Sequence, residues 1–224
     1  RWTSRNNNVW TTKYNRRTSK RNNYFIDNTN ILKNNLNIVD KEKLSLAEKE
    51  ITLKQLAFLE LFPIEGNFDS NHLRAIHKFL FSSIYPFAGE YRTCSLAKKT
   101  EFYDPEIIKD ELASALDELN SDIKKVYDER SYSYVLANAY YLLMAIHPFR
   151  EGNGRSVREF LREFVLNKNK LLSFNVKLDF SKMDKEKFLM AVQYRYIYPS
   201  LWLQENFGIS ITDLKSKVAL DNYA

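Results

Sequence analysis

Ala145-Ile146-His147-Pro148-Phe149-Arg150-Glu151-Gly152-Asn153-Gly154-Arg155-Ser156-Val157-Arg158 is the stretch on which the reading of the fold turns. It holds one histidine, one carboxylate, two glycines, one asparagine and three arginines. On its N-terminal side Val135, Leu136, Ala139, Tyr140, Leu142, Leu143 and Ile146 recur at helical spacing. On its C-terminal side Val157, Phe160, Leu161, Phe164 and Val165 fall at i, i+3, i+4, i+7 and i+8. The stretch therefore reads as helix, short glycine loop, helix. Pro148 ends the first helix because it has no N–H to continue the ladder.

Such a loop binds anions. A helix starting near Arg155 presents unpaired N–H groups and the positive end of its dipole. Gly152 and Gly154 lack a Cβ, so their backbone can approach a phosphate closely. Asn153 can add a side-chain N–H. Arg155 and Arg158, three apart, share a face near the helix start and suit two successive phosphates. Glu151 offers a hard carboxylate to a divalent cation bridging phosphate oxygens. His147, at the end of the preceding helix, is placed to take a proton from an attacking hydroxyl. Together they make a polyphosphate cradle with a general base at its rim. The bland alternative is a helix–loop–helix corner with solvated arginines.

His147, Phe149, Glu151, Gly152, Asn153, Gly154, Arg155 and Arg158 fill every defined position of His-x-Phe-x-Asp/Glu-Gly-Asn-Gly-Arg-x-x-Arg. By these residues the chain resembles the Fic family. The resemblance implies an all-α Fic fold: a helical bundle with a central helix–loop–helix active site and a small β-hairpin flap. It implies that His147 deprotonates the target hydroxyl and that Glu151 binds magnesium. It implies that Gly152, Asn153 and Gly154 form an anion hole and that Arg155 and Arg158 hold the outer phosphates of ATP. Phe149 matches a buried anchor, and Arg150 falls at a variable position.

The expected reaction is transfer of AMP from ATP to a Tyr, Thr or Ser hydroxyl of a target protein, with release of pyrophosphate. The phosphorylating members of the family carry lysine at the position of Gly154, so glycine favours nucleotide transfer. Two other readings use the same residues: transfer of another nucleotide or phosphate-bearing group, and a non-catalytic binding module. The intact set from His147 to Arg158 favours the enzyme.

Upstream, Tyr85 to Thr93 resembles the segment that precedes the Fic flap, and Tyr91 to Phe102 reads as a small hairpin. The resemblance makes Arg92, Thr93, Cys94, Ser95 and Leu96 a docking edge, on which a target's backbone pairs as an added strand. Lys98 and Lys99 are the expected solvated tip.

Elsewhere the pattern is helical. Asp40 or Ser45 caps a helix whose stripe is Ile51, Leu53, Leu56, Leu59 and Phe62, ended by Pro63. After a turn at Gly66 to Ser70, a second helix carries Leu73, Ile76, His77, Leu80 and Ile84. His77 is expected in the core or at its rim and His72 in solvent, with no zinc-ligand spacing for either. Asp104-Pro105 starts a third helix, with Ile108, Leu112, Ala115, Leu116 and Leu119 buried. Ser121 to Ser133 reads as a polar loop. Asn167 to Lys170 closes the second core helix, and Leu171 to Phe180 reads as an extended connection. A helix capped by Asp184, a turn around Trp202 to Phe207 and a last helix over Thr212 to Leu220 complete the expectation.

The 224 residues, 44% apolar and 14% aromatic, suffice for one sizeable core. The chain carries 34 basic and 28 acidic side chains, a formal +6. Seven of the basic residues and none of the acids lie in residues 1 to 26. That segment is thus +7 and the rest about −1. We read residues 1–26 as a basic, Asn-rich N-terminal arm and 27–224 as a single Fic-type helical domain. The arm lacks an apolar stripe or a secretory core and is expected to be a solvated extension, with nucleic-acid binding the less favoured reading. A chain opening without Met is expected to be trimmed or tagged. Cys94 is the single cysteine, so no internal disulfide forms. No apolar run approaches the ~20 residues of a membrane span.

The family likeness also raises regulation. Many Fic proteins silence themselves with a helix bearing Ser or Thr, a Glu four residues later, then Gly or Asn. Here Glu followed by Gly or Asn occurs at Glu65, Glu151 and Glu205, and the residues four before are Leu61, His147 and Leu201. Ser200 is one residue out of register, about 100° around a helix. A self-inhibitory helix is therefore not expected in cis. The chain is expected to be active alone or held by a separate small helical antitoxin; the expected partner is a target protein, and the expected place is a bacterial cytoplasm or a host cytosol.

Overall fold

Four aspartates start four helices. Each offers a carboxylate to an orphan N–H of the first turn. In the computed structural model, which describes residues 24–98, 100–172, 176–179 and 210–213, Asp40 accepts from the Lys43 N–H at 2.8 Å and opens α1, Lys41–Leu61. Asp69 accepts from His72 N–H at 2.9 Å and opens α2, Ser70–Phe81. Asp104 caps a 3₁₀ turn, Pro105–Ile107, that leads into α3, Ile108–Asp122. Asp128 and Ser131 form a reciprocal capping box at the start of α4, Glu129–Ile146. That box places the helix start inside the stretch expected to be a loop up to Ser133, because Ser131 serves as a cap partner.

α5, Asn153–Leu172, follows the signature loop and lies at the centre. α2 and α4 both pack against it, α3 packs on α4, and α1 packs on α2. The expected stripes meet there: Leu73, Ile76 and Leu80 from α2, Leu112, Leu116 and Leu119 from α3, and Phe160, Leu161 and Phe164 from α5 are all buried. Burial of this kind contributes roughly 1.5–3 kcal/mol per large apolar side chain.

α1 departs from its expected stripe. Leu44, Thr52 and Leu59 face inward, whereas Leu53 and Phe62 are 65% and 59% exposed. The helix touches the bundle along a narrow line, so only one side of the apolar pattern is covered.

His72 also departs from expectation: it is buried. Its Nδ1 accepts from the Phe68 N–H at 3.3 Å, and its Nε2–H donates to Glu163 of α5 at 3.1 Å. The second oxygen of Glu163 accepts the Ile64 N–H at 3.2 Å. A polar pair with every partner in place is tolerated in a core.

Two small antiparallel sheets complete the described fold. β1, Ala97–Lys98, pairs with β2, Thr100–Glu101, with Ala97 opposite Glu101. β3, Val176–Asp179, pairs with β4, Ser210–Asp213, with Val176 opposite Asp213. α5 thus runs two residues past the expected close at Lys170. The expected extended connection contains a true strand. The expected helix from Thr212 begins instead in β4, where Ile211 and Thr212 are β-branched and find a ladder. The arm residues 1–23, the helix expected from Asp184, the turn around Trp202 and the remainder of the last helix lie outside the described residues.

Glu163→Ala leaves His72 and the Ile64 N–H without acceptors in the core. The expected loss is about 3 kcal/mol, read as a drop in the urea midpoint. A loss below about 1 kcal/mol would show that solvent reaches the pair.

Candidate active site

The last carbonyls of a helix have no intrahelical donor. At the end of α4 the chain turns through His147, which adopts the left-handed region at φ 51°, with its N–H on Leu143 O at 3.1 Å. A residue with a side chain is held there at a cost, so something must fix it. Arg92 does so. Its Nε donates to His147 O at 2.7 Å and one Nη to Ile146 O at 3.2 Å. The same Nη donates to Tyr103 O, and the other Nη to Cys94 O at 2.8 Å. Its backbone N–H donates to Pro148 O at 2.9 Å. The guanidinium sits at the negative end of the α4 dipole, where a cation is stabilised, although burial pulls its pKa down.

This placement corrects the expectation for Arg92. The sequence places it on the docking edge, but its side chain is buried and its backbone N–H is taken by Pro148 O. The rest of that edge is partly committed. The Thr93 N–H donates to the Tyr24 hydroxyl at 3.0 Å, the Cys94 carbonyl is taken by Arg92, and the Leu96 carbonyl accepts the Phe102 N–H at 3.0 Å. Ser95 is exposed and Leu96 half-buried.

The floor of the loop is aromatic. The His77 ring stacks on Phe149 at 3.8 Å between centroids. Its Nδ1 accepts from the Gly89 N–H at 2.8 Å, which assigns the ring proton to Nε2, donated to Glu151 O at 2.9 Å. Both nitrogens are thus satisfied in the neutral form. Burial pushes the His77 pKa down to about 4, opposed by the bond to Glu151 O and aided by nearby Arg155. Gly152 sits at φ +80°, and a Cβ there would lie 2.3 Å from the Phe81 ring. Glycine is required on both counts.

The second core helix begins at Asn153, earlier than the expected Arg155. The Asn153 side chain does not reach a phosphate. It is buried, donating to Phe149 O and accepting from Phe149 N–H, both at 2.8 Å. What Asn153 leaves for an anion is its backbone N–H, one of the first-turn donors of α5 with no intrahelical acceptor. Gly154 lies beneath Arg158, whose Nη1 would be 3.2 Å from a Cβ at that position.

The two signature arginines have different surroundings. Arg155 donates to Glu48 of α1 and, at 3.1 Å, to the Thr52 hydroxyl, and stands 4.8 Å over the Phe81 ring. The Tyr85 hydroxyl donates to the same Glu48 carboxylate, and burial together with that carboxylate drives the Tyr85 pKa up. Arg158 reaches the hydroxyl of Tyr140, whose own pKa is raised by burial. The Glu151 carboxylate is 41% exposed, with one oxygen on the Gly152 N–H at 2.9 Å. Among the described residues no three His, Cys, Asp or Glu cluster as a metal cage. The same carboxylate lies 3.8 Å from Arg155, and its partly exposed oxygens are hard donors of the kind that fit magnesium, which keeps waters as its other ligands.

His147 is almost covered. Its Nδ1 lies 3.3 Å from Met144 O, and Phe102 stacks on its face with centroids 3.9 Å apart. The sequence singles out His147, Glu151, Gly152, Gly154, Arg155 and Arg158, and the fold places them around the loop between α4 and α5. The sequence pattern misses Glu48 and Phe102. Glu48 has Lys49 after it and Leu44 four before it, so no inhibitory pattern marks it.

A family model described as Fic/DOC matches residues 67–165. The chain belongs to the Fic/DOC family. Among its relatives is the "probable protein adenylyltransferase y4lH" of Sinorhizobium fredii, 31% identical over 167 residues, covering 73% of this chain and 82% of that protein. Another is the "protein adenylyltransferase VbhT" of Bartonella schoenbuchensis, 32% identical over 149 residues. That match covers 62% of this chain and 29% of VbhT, so the chain spans less than a third of that relative's length. Among solved structures, BepC, a VirB-translocated effector of Bartonella tribocorum with AMPPNP bound, superposes with a TM-score of 0.68 at 25% identity. It covers 84% of this chain and 97% of that one.

The neutrality of His77 sets a pH dependence. An unfolded histidine protonates near 6.5 and the folded one near 4, so acid favours the unfolded state. Stability from this group is complete above pH 6.5 and falls as pH drops through that window, by about 3 kcal/mol. A ring-proton NMR titration is expected to show His77 neutral at pH 5. Titration near 6.5 would refute the burial argument.

Proposed function

We propose that this chain is a protein adenylyltransferase, transferring AMP from ATP to a Tyr, Thr or Ser hydroxyl of a target protein with release of pyrophosphate. The observation that carries this reading is the His147–loop–α5 arrangement: a base at the rim of an anion cradle built on a helix N-terminus. The adenylyltransferase names of y4lH and VbhT, and AMPPNP on BepC, support ATP as the substrate. Transfer of another nucleotide is separated from this reading by competition for labelling. A non-catalytic module is disfavoured by the complete ligand set.

Nδ1 of His147 faces a carbonyl, which only accepts, so that nitrogen carries the ring proton. Nε2 is then the basic nitrogen, and it takes the proton from the target hydroxyl. The oxygen bonds to the α-phosphorus, the α–β phosphoanhydride bond breaks, and pyrophosphate leaves with the electron pair. The first-turn N–H groups of α5 and the Arg158 guanidinium hold the outer phosphates and meet their growing charge. Glu151 is the residue to hold magnesium, which supplies charge neutralisation at the phosphates when bound. Arg155 is committed to Glu48 and Thr52, so its main duty is to tie α5 to α1.

The target reaches His147 by its backbone. β1 belongs to a two-stranded sheet, which leaves it an outer edge for an added strand. A separate helical antitoxin also fits this reading. Leu46 and Leu53 are exposed one heptad apart on α1, the helix that carries Glu48. No helix among the described residues is long and apolar enough to cross a membrane. By analogy with the translocated BepC, a host cytosol is proposed beside a bacterial cytoplasm as the place of action.

Incubation of the purified chain with α-labelled ATP and magnesium is expected to label protein, and His147→Ala to lower this at least 100-fold. Labelling that persists in His147→Ala would remove the base from the mechanism. The arginines should separate: Arg158→Ala raises KM for ATP and lowers kcat/KM roughly 100-fold, while Arg155→Ala costs about 2 kcal/mol of stability first. Equal kinetic losses with unchanged stability would return Arg155 to the phosphates.

A further inference from the structure

Sequence and family likeness both leave Phe102 without a role, yet its ring lies flat on the candidate base. The Phe102 and His147 planes are 9° from parallel with centroids 3.9 Å apart. We propose that Phe102 is a positioning residue that fixes the plane of the His147 imidazole and links it to the target-docking hairpin. This rests on the reading of His147 as general base.

A histidine ring turns about χ2 in a broad, shallow well. The Nδ1 hydrogen bond to Met144 O holds one edge of the ring. A second ring stacked on its face removes the swing. Nε2 is then held toward one place, as proton transfer requires.

Phe102 can act this way because its own backbone is tied at both ends. Its N–H closes the hairpin on Leu96 O at 3.0 Å. Its neighbour Tyr103 donates its N–H to Ala145 O at 3.4 Å and gives its carbonyl to Arg92. The ring is therefore suspended between the hairpin and the end of α4. A target strand added to β1 would bear on the same hairpin whose base carries this ring.

Phe102 also has a chemical part that an aliphatic residue lacks. When Nε2 takes the hydroxyl proton, neutral imidazole becomes imidazolium. A cation against an aromatic face is attracted by the ring quadrupole. Phe102 therefore favours the protonated product of the step over the neutral reactant, which lowers the barrier to proton removal as the oxygen–phosphorus bond forms.

The test compares Phe102→Leu, Phe102→Met and Phe102→Tyr in steady-state labelling with ATP, alongside the unmodified chain and His147→Ala. Phe102 is half-buried, so Leu and Met replace it without opening the core. Both are expected to lower kcat roughly tenfold with KM for ATP unchanged within about twofold. Tyr, which keeps the aromatic face, is expected to retain kcat within about threefold. Unchanged or increased kcat in the Leu and Met variants would overturn the proposal, since the ring would then be inert or a lid. A rise in KM for ATP at constant kcat would overturn it too, by assigning the ring to nucleotide binding. Failure of Tyr to restore kcat would likewise overturn it. Absence of His147-dependent labelling in the unmodified chain would instead sink the functional reading itself, so the two failures are distinct.

Discussion

One guanidinium carries the active site. Arg92 is buried with no carboxylate in contact among the described residues, and a bare buried cation is costly. Four carbonyl oxygens surround it, two of them the exposed end of α4, at Ile146 and His147. The arrangement resolves two problems at once: the helix end needs donors, and the cation needs acceptors at a negative dipole. Only a planar fork reaches all four; a lysine ammonium presents three donors from a single point. The other two carbonyls, Cys94 and Tyr103, bracket the hairpin. The base and the flap therefore hang from the same group.

A second rigid layer lies under the loop. His77 stays neutral because each nitrogen meets the partner that suits the neutral ring, and Phe149 and Phe81 flank it. Asn153 folds its amide back on Phe149, and Gly152 lies against Phe81. The side chains of Phe149 and Asn153 are thus turned inward. The first-turn N–H groups of α5 remain as fixed outward donors. Donors that need no reorganisation are the effective ones where phosphate charge grows. The left-handed conformation of His147 is consistent with this, since backbone strain persists only where surroundings over-determine it.

Much of the architecture was legible in local pattern. The Asp caps, the apolar stripes of α2, α3 and α5, and the signature loop all depend on residues a few positions apart. What was not legible depends on residues far apart. Arg92 reads as a surface arginine until the end of α4, more than fifty residues on, is brought beside it. His72 reads as exposed until Glu163 arrives from α5. Glu48 fits no pattern because its partners, Tyr85 and Arg155, come from two other segments. Asn153 was assigned to an anion because its type suits one, while the nearer backbone of Phe149 takes its amide. The strand β3 was read as mere extension, since a strand is specified by a partner and β4 is over thirty residues away.

These constraints decide which parts of the site remain free to adapt. The loop, the base and the hairpin root share the carbonyls at the end of α4, so none moves alone. Arg155 is held by α1 through Glu48 and Thr52. Glu151, 41% exposed, rests on the Gly152 N–H and lies 3.8 Å from Arg155, and Arg158 reaches the Tyr140 hydroxyl. In the proposed reading a nucleotide would meet the fixed backbone donors of α5 beside these two charged side chains. A target, in the same proposed reading, would meet an edge of main chain, which reads extended conformation more than side-chain identity. In that reading discrimination between targets would come from how an incoming strand loads the hairpin, whose Phe102 ring lies on the imidazole of His147.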